Sequence, residues 1–303
     1  MAKKKIFDLV EFAARRDAAQ SNRWLATIEE VKEAYKQGYR DFGRIFLQDG
    51  DLNHVTLKGS DFTESYLISI NFDNCNLEEM DWQYAKLVKC NLHAASLVNS
   101  KLRYVHMINC GMEFADASHA NFYHADIQET PMDNTELTGA SFQYAEMRRT
   151  NFVSASCEKT DFSGADLAKS NFCSAILSNT RFNDADITNC TFENCGFENV
   201  DFLEAKGLYT VYGPNLSSRT DQLYGGVVIE NGRLELRLWA GCQGPIEAEE
   251  LLEAVIETHG SNVHARQYKA AIKCIQKMFK VDMEDGKWNY LLTLTDPSNT
   301  ENN

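Results

Sequence analysis

Residues 161–190 read DFSGADLAKSNFCSAILSNTRFNDADITNC. A large apolar residue returns at every fifth position: Phe162, Leu167, Phe172, Leu177, Phe182 and Ile187. A small residue stands two before each of them: Thr160, Ala165, Ser170, Ala175, Thr180 and Ala185. Followed outward, the register holds without a slip from Phe42 to Phe202, 33 positions of which only Ala117 and Cys157 are not large and apolar. The small-residue column, from Val55 to Ala205, holds Ala, Ser, Thr, Cys or Val except at Ile70 and Met80. A period of five is neither helical nor that of a plain strand, and a fixed register over such a length marks a stacked repeat.

The units Ala125-Asp126-Ile127-Gln128-Glu129, Ala165-Asp166-Leu167-Ala168-Lys169 and Ala185-Asp186-Ile187-Thr188-Asn189 resemble the pentapeptide-repeat family, whose unit reads A-(D/N)-L-x-x. The resemblance covers Ile45 to Lys206. It implies a mainly β fold, a right-handed quadrilateral β-helix with four units per coil. The physics agrees with that fold. A small and a large residue two apart point to one side of an extended segment. The small one lets the chain turn a corner near the axis while the large one fills the interior. About eight coils at about 4.8 Å make a rod of roughly 38 Å.

Residues 20 apart then stack. One face carries Phe62, Trp82, Leu102, Phe122, Phe142, Phe162, Phe182 and Phe202. Two units later the column reads Phe72, Leu92, Met112, Met132, Phe152, Phe172 and Phe192. The other two faces are lighter, and the one holding Ala117 and Cys157 is expected to be under-filled near its middle.

The flanks follow other rules. Residues 1–44 read as a helical cap of two helices: Ile6, Leu9, Val10 and Ala13 form a stripe, Thr27 to Glu30 a capping box, and Gly38 a stop. Trp24, Ile28, Val31 and Tyr35 are expected on one face. After the repeats at 45–206, residues 207–295 read as a small α+β module: a hairpin around Asn231-Gly232, a helix from Pro245 to Thr258, a second from Val263 to Lys280, and a strand at Trp288 to Leu294. Gly241-Cys242 followed by a helical pair resembles modules that trail pentapeptide arrays in some phage and bacterial proteins. Residues 296–303 read as a disordered tail.

Composition narrows the function. Hydrophobic residues make up 44%, so a packed core is expected. Neither a leader segment nor an apolar run long enough for a membrane is expected. Nine cysteines without a CxxC pair suggest free thiols in a reducing, cytoplasmic setting. Cys75, Cys90, Cys110, Cys190 and Cys195 occupy the small-residue column and read as small hydrophobes. No metal ligand set or cofactor is expected, and no catalytic motif is present, so the chain reads as a non-enzyme.

Charge carries the functional signal. The net charge is −14, and residues 45–206 account for 24 acids against 11 bases. An acidic protein is not expected to bind nucleic acid or an anionic membrane. Asp126, Glu146, Asp166 and Asp186 form one outward row; Asp73, Glu113, Asp133 and Glu193 belong to another. Some family members that act on DNA gyrase are proposed to mimic duplex DNA with such a surface, so the resemblance implies a protein partner, such as a topoisomerase or a phage or defence nuclease. Against this stands the reading that Asp and Asn suit the repeat and keep it soluble. Stacked Tyr84, Tyr104 and Tyr144, with His124, offer an aromatic anchor for a partner. The alternative role is a scaffold whose C-terminal module binds the partner, and that module is also the expected seat of any homodimer.

Overall fold

The computed structural model describes residues 7–19, 22–192, 195, 200–202, 205–212, 222–230, 233–240, 243–259, 269, 272, 273, 275, 276 and 280. Two helices, α1 (Leu9–Ala18) and α2 (Ile28–Lys36), flank a short strand, β1 (Trp24–Leu25). Strands β2 (Ile45–Asp51), β3 (Tyr66–Asn71), β4 (Lys86–Val88) and β5 (His106–Ile108) continue from it in one parallel sheet. From β2 onward parallel partners lie twenty residues apart, as in Leu67, Leu87 and Met107. Single bridges carry the same register onward, through Ser141, Asp161, Arg181 and Asp201 among others. Each coil is therefore four units with no insertion, and its sides are named here by the interior residues Phe62, Leu67, Phe72 and Leu77.

The unit Asp161–Ala165 shows how the backbone is satisfied. Asp161 N–H donates to the carbonyl of Ala140 in the coil before, at 2.9 Å. Phe162 and Gly164 N–H donate to Arg181 and Asn183 in the coil after, at 2.8 and 2.7 Å. Ala165 N–H closes the turn on the Phe162 carbonyl at 3.0 Å. Only the third N–H is left, and the Asp161 carboxylate takes it: Ser163 N–H to Oδ1, 3.0 Å. The same cap recurs at Asp61, Asn71, Asn91, Asn121 and Asn171. This is an Asx turn, and it explains why Asp and Asn sit just before the interior residue. The fourth residue of each unit lies in the left-handed region, from Arg44 at φ 61° to Asn189 at φ 62°.

The interior is a stack of rings. On the Phe62 face, Phe122, Phe142, Phe162, Phe182 and Phe202 follow one another at 4.5, 5.3, 5.2 and 5.1 Å. Phe152 and Phe172 stack at 4.6 Å across the axis and meet the first column edge-on. Polar members of the small-residue column are buried yet satisfied. Most donate to the carbonyl of the interior residue 23 earlier, as Ser100 does to Leu77 at 2.7 Å, Thr160 to Leu137 at 2.8 Å and Cys75 to Leu52 at 2.7 Å, while Thr130 turns to the Gln128 carbonyl at 3.5 Å. Ser60 alone in that column leaves a buried hydroxyl without a partner, because the residue 23 earlier, Gln37, belongs to the end of α2 and not to a coil.

The N-terminal end is closed by aromatic packing. Buried Phe12 of α1 meets Trp24, Tyr39 and Phe42 at 5.0, 5.6 and 6.3 Å. Thr27 and Glu30 form the expected capping box of α2. Ile28 lies directly over Gly50, where a Cβ would come within 2.2 Å of it. Two expectations are corrected. Trp24 lies on β1, which pairs Trp24 with Ile45 along the rod's first strand, rather than on the helix face with Ile28. In α1 the buried residue is Phe12, and Val10 is 78% exposed, because the coil end offers a ring-shaped seat that Phe12 fills.

Beyond the rod, β6 (Leu208–Tyr212), β7 (Gln222–Glu230), β8 (Arg233–Ala240) and β9 (Gln243–Ile246) form an antiparallel sheet, and α3 (Ala248–His259) follows. The expected hairpin is there, with Glu230 opposite Arg233. The helix begins three residues later than expected. Gly244 and Pro245 lie in β9, at the sheet edge where proline's missing N–H is tolerated. Of the second expected helix, Ile272 and Ile275 are helical and buried. The expected strand at Trp288 and the tail lie outside the described residues.

Two stability measurements check this arrangement. Phe142→Ala should lower unfolding free energy by about 3–5 kcal/mol in urea melts. Ser100→Ala should destabilise by about 1–2 kcal/mol, whereas Ser60→Ala, which deletes an orphan hydroxyl, should be neutral or stabilising by up to about 1 kcal/mol. Equal losses at Ser60 and Ser100 would contradict the 23-residue rule.

Candidate functional site

The first acidic row runs along the Leu67 side. Bridges join His106 to Asp126, Asp126 to Glu146, Glu146 to Asp166, Asp166 to Asp186, and Asp186 to Lys206. Thus the four candidate carboxylates are consecutive on one ladder, between His106 at one end and Lys206 at the other. Their environments differ. Gln128 Nε2 donates to Asp126 at 3.0 Å and to Glu146 at 3.1 Å, and His106 Nδ1 lies 3.5 Å from Asp126. Asp166 is held by Arg148, at 2.5 Å from Nη2 and 2.6 Å from Nε, and also caps Ala168 N–H. Asp186 caps Thr188 N–H at 3.0 Å. Asp166 and Asp186 therefore serve the backbone, while Asp126 and Glu146 have no cap in the hydrogen bonds of their units.

The second row, on the Phe72 side, is interrupted. His93 separates Asp73 from Glu113 and accompanies Asp73 at 2.8 Å. Glu113 folds back over Gly111, with Oε2 2.5 Å from where a Cβ would stand. Asp133 accepts from the Asn151 amide. Glu193 lies outside the described residues. Hydrogen bonds from Asn74 and His93 hold the Asp73 carboxyl below its usual range. Burial pushes Asp133 the other way, and Glu113 adds to it.

At the corner between the Phe62 and Leu67 sides the aromatic residues form a continuous ladder. Tyr84 and Tyr104 stack at 4.9 Å and 2°, Tyr104 and His124 at 5.4 Å and 8°, His124 and Tyr144 at 5.3 Å and 21°. Tyr123 meets three of these rings edge-on, and Arg103 lies 5.0 Å over Tyr123. The ladder ends where Tyr144 covers Gly164, whose added Cβ would fall 2.6 Å from the ring. All four ladder residues have φ between 55° and 60°. Gly or Asn suits that backbone better than Tyr does, so ring stacking offsets a local cost.

The total charge concealed a banding along the rod. Residues 82–112 contain Lys86, Lys89, Lys101 and Arg103 and no acid, whereas residues 113–147 contain seven acids and no Lys or Arg. A running count along the sequence shows this; a whole-rod sum does not. The described cysteines are unpaired. Burial pushes the Cys75 thiol up to about 11 and Cys157 higher still, which keeps both protonated and poor as nucleophiles at neutral pH. Among the described residues no three His, Cys, Asp or Glu side chains gather as metal ligands would, and no helix is long and apolar enough to cross a membrane.

The opposite shifts of the second row predict an order of titration. As pH rises, Asp73 should lose its proton before Asp133 in a carboxyl-carbon NMR titration, and His93→Ala should move Asp73 up toward Asp133. Simultaneous titration in the unaltered protein would contradict the geometry.

A family model for pentapeptide repeats matches in 8 copies, at residues 47–78, 131–167, 155–194 and 165–202. A search of curated proteins finds no match. Among solved structures, a trypsin-treated variant of QnrB1, a plasmid-mediated fluoroquinolone resistance protein, is 21% identical over 54% of this chain and 79% of its own, with a TM-score of 0.43. HetL, a pentapeptide repeat protein involved in heterocyst differentiation regulation in the cyanobacterium Nostoc, is 20% identical over 59% of this chain and 98% of its own, at a TM-score of 0.22. Rfr23 from the cyanobacterium Cyanothece 51142 is 14% identical over 57% and 99%, at 0.29. The assignment rests on the matched repeats and the twenty-residue register rather than on these superpositions. The rod is built of pentapeptide repeats, matched by that family's model over residues 47–78 and 131–202.

Proposed function

We propose that the rod is a non-enzymatic, protein-binding solenoid that occupies the basic groove of a DNA-handling enzyme, such as a topoisomerase or a nuclease, in place of DNA. The observation that carries this reading is the belt from Glu113 to Glu146. Seven carboxylates fall within 35 residues with no Lys or Arg among them. At about 4.8 Å per coil that length of chain advances roughly 8 Å. The belt thus holds one charge per about 1.2 Å of axis, against about 1.7 Å for duplex DNA. Over the whole rod the density is lower, one net charge per about 3 Å. Mimicry is local: a dense anionic girdle that steers the rod into a basic groove, with bands of mixed charge on either side.

Asp116 and Glu136 of the belt cap the N–H groups of Ser118 and Thr138, and the other five carboxylates cap no turn. Glu129 pairs with exposed Arg149 at 2.9 Å, and Glu146 is exposed. Either can be reversed without uncapping a turn. Attraction between such a belt and a basic groove is screened beyond about 8 Å at physiological ionic strength.

Inhibition of a DNA-dependent enzyme by the full chain should fall steeply with added salt and be relieved by competing duplex DNA. Glu129→Lys with Glu146→Lys should abolish it while leaving the melting temperature unchanged. Suppose instead that Tyr84→Ser, Tyr104→Ser and Tyr144→Ser abolish binding and the charge reversals do not. An aromatic-centred interface would then replace the mimicry reading.

A further inference from the structure

The Leu67 side has two unlike halves on one ladder. Toward the N-terminus it presents Lys86 with Val88 and, one coil on, Ile108, which is 41% exposed. Toward the C-terminus it presents Asp126, Glu146 and Asp166, with Arg148 paired to the last of them. The change of character is centred on the coil of His106: Lys86 stands one coil before it and Asp126 one coil after. Lys86 makes no ion pair among the described residues and rests 5.6 Å over the Tyr66 ring. A surface whose charge reverses about a central row is complementary to its own copy turned end for end, which is the condition for an isologous two-fold contact.

We propose that the protein pairs with a second copy of itself through this side, as antiparallel rods about a two-fold axis that runs along the strands at the coil of Tyr104 to Ile108. Such an axis reverses the order of coils but leaves each position opposite its own kind. Ile108 then meets the partner's Ile108, and Tyr104 meets the partner's Tyr104. Lys86 meets the partner's Asp126, and the partner's Lys86 meets Asp126, so both cations without an ion pair find carboxylates. Val88 is covered in the same contact.

The contact is small. Five coils at about 4.8 Å by four residues at about 3.3 Å give a flat area of roughly 300 Å² per rod. A standard interface buries about 800 Å² per partner. Pairing is therefore weak and reversible. It does not rest on the inhibitor reading, although a basic groove and a second copy compete for Asp126 and Glu146. The Asp73 row on the Phe72 side stays uncovered.

Sedimentation equilibrium of the full chain from about 1 μM to about 1 mM tests the pairing. A reversible monomer–dimer equilibrium is expected. Ile108→Asp, Lys86→Asp and Asp126→Lys should each weaken it about tenfold or more, with unchanged thermal melts showing that each variant folds. Lys86→Asp combined with Asp126→Lys should restore it, because the swapped charges meet again. A chain that stays monomeric throughout overturns the proposal. So does a dimer indifferent to Ile108→Asp, which would place association elsewhere, or a double variant no tighter than the single ones. Loss of pairing with inhibition retained would leave the inhibitor reading standing.

Discussion

One backbone N–H in each five-residue unit is left over by stacking and turn, and wherever Asp or Asn caps it the side chain two residues before supplies the partner. Stacking uses the first, second and fourth N–H groups and the turn uses the fifth, as in Asp161 to Ala165. In units such as 161–165 and 171–175 the third is met by Asp or Asn from within the unit. An unpaired backbone group of this kind costs about 1–3 kcal/mol where it is shielded from water. Part of the acidity of the rod, as at Asp61, Asp161 and Asp186, is therefore a by-product of backbone capping rather than a signal to a partner.

That constraint also sharpens what remains. Asn caps as well as Asp does at residues 71, 76, 91, 121 and 171. Where Asp stands instead, the fold has accepted a charge that it did not require. Carboxylates that cap nothing, such as Glu113, Asp126, Asp133 and Glu146, are freer still, and all four lie in the belt without Lys or Arg. The aromatic ladder is a similar excess. Tyr84, Tyr104 and Tyr144 occupy left-handed positions that Gly or Asn would fill with less strain. The ladder, Asp126 and Glu146 meet on the Leu67 side and its edge, whereas Glu113 and Asp133 lie on the Phe72 side.

Most of the rod was legible in the sequence because its rules are periodic. The five-residue register placed the interior, and the twenty-residue register placed Phe162 under Phe182 and Tyr84 under Tyr104. The rows of Asp126 and of the tyrosines came from the same arithmetic. What escaped was set by contacts outside the period. Nothing local marks Trp24 as a strand residue; its seat is the first edge of the sheet, with Nε1 donating to Gly43 at 2.9 Å. Phe12 is chosen over Val10 by the shape of the coil end. Pro suits a helix start, but pairing with β8 draws the segment of Pro245 into a sheet. The capping role of Asp and Asn needed the hydrogen-bond ledger of a whole coil, and the charge bands needed a running count.

Separating capping from charge at one residue tests this account most directly. Asp186 caps Thr188 N–H at 3.0 Å and also belongs to the acidic row. Urea unfolding of Asp186→Asn and Asp186→Ala compares loss of charge with loss of the cap. The account predicts that Asn keeps the stability of the unaltered protein and that Ala lowers it by about 1 kcal/mol. Equal destabilisation by both, or by neither, would contradict the claim that the fold needs the cap and not the charge.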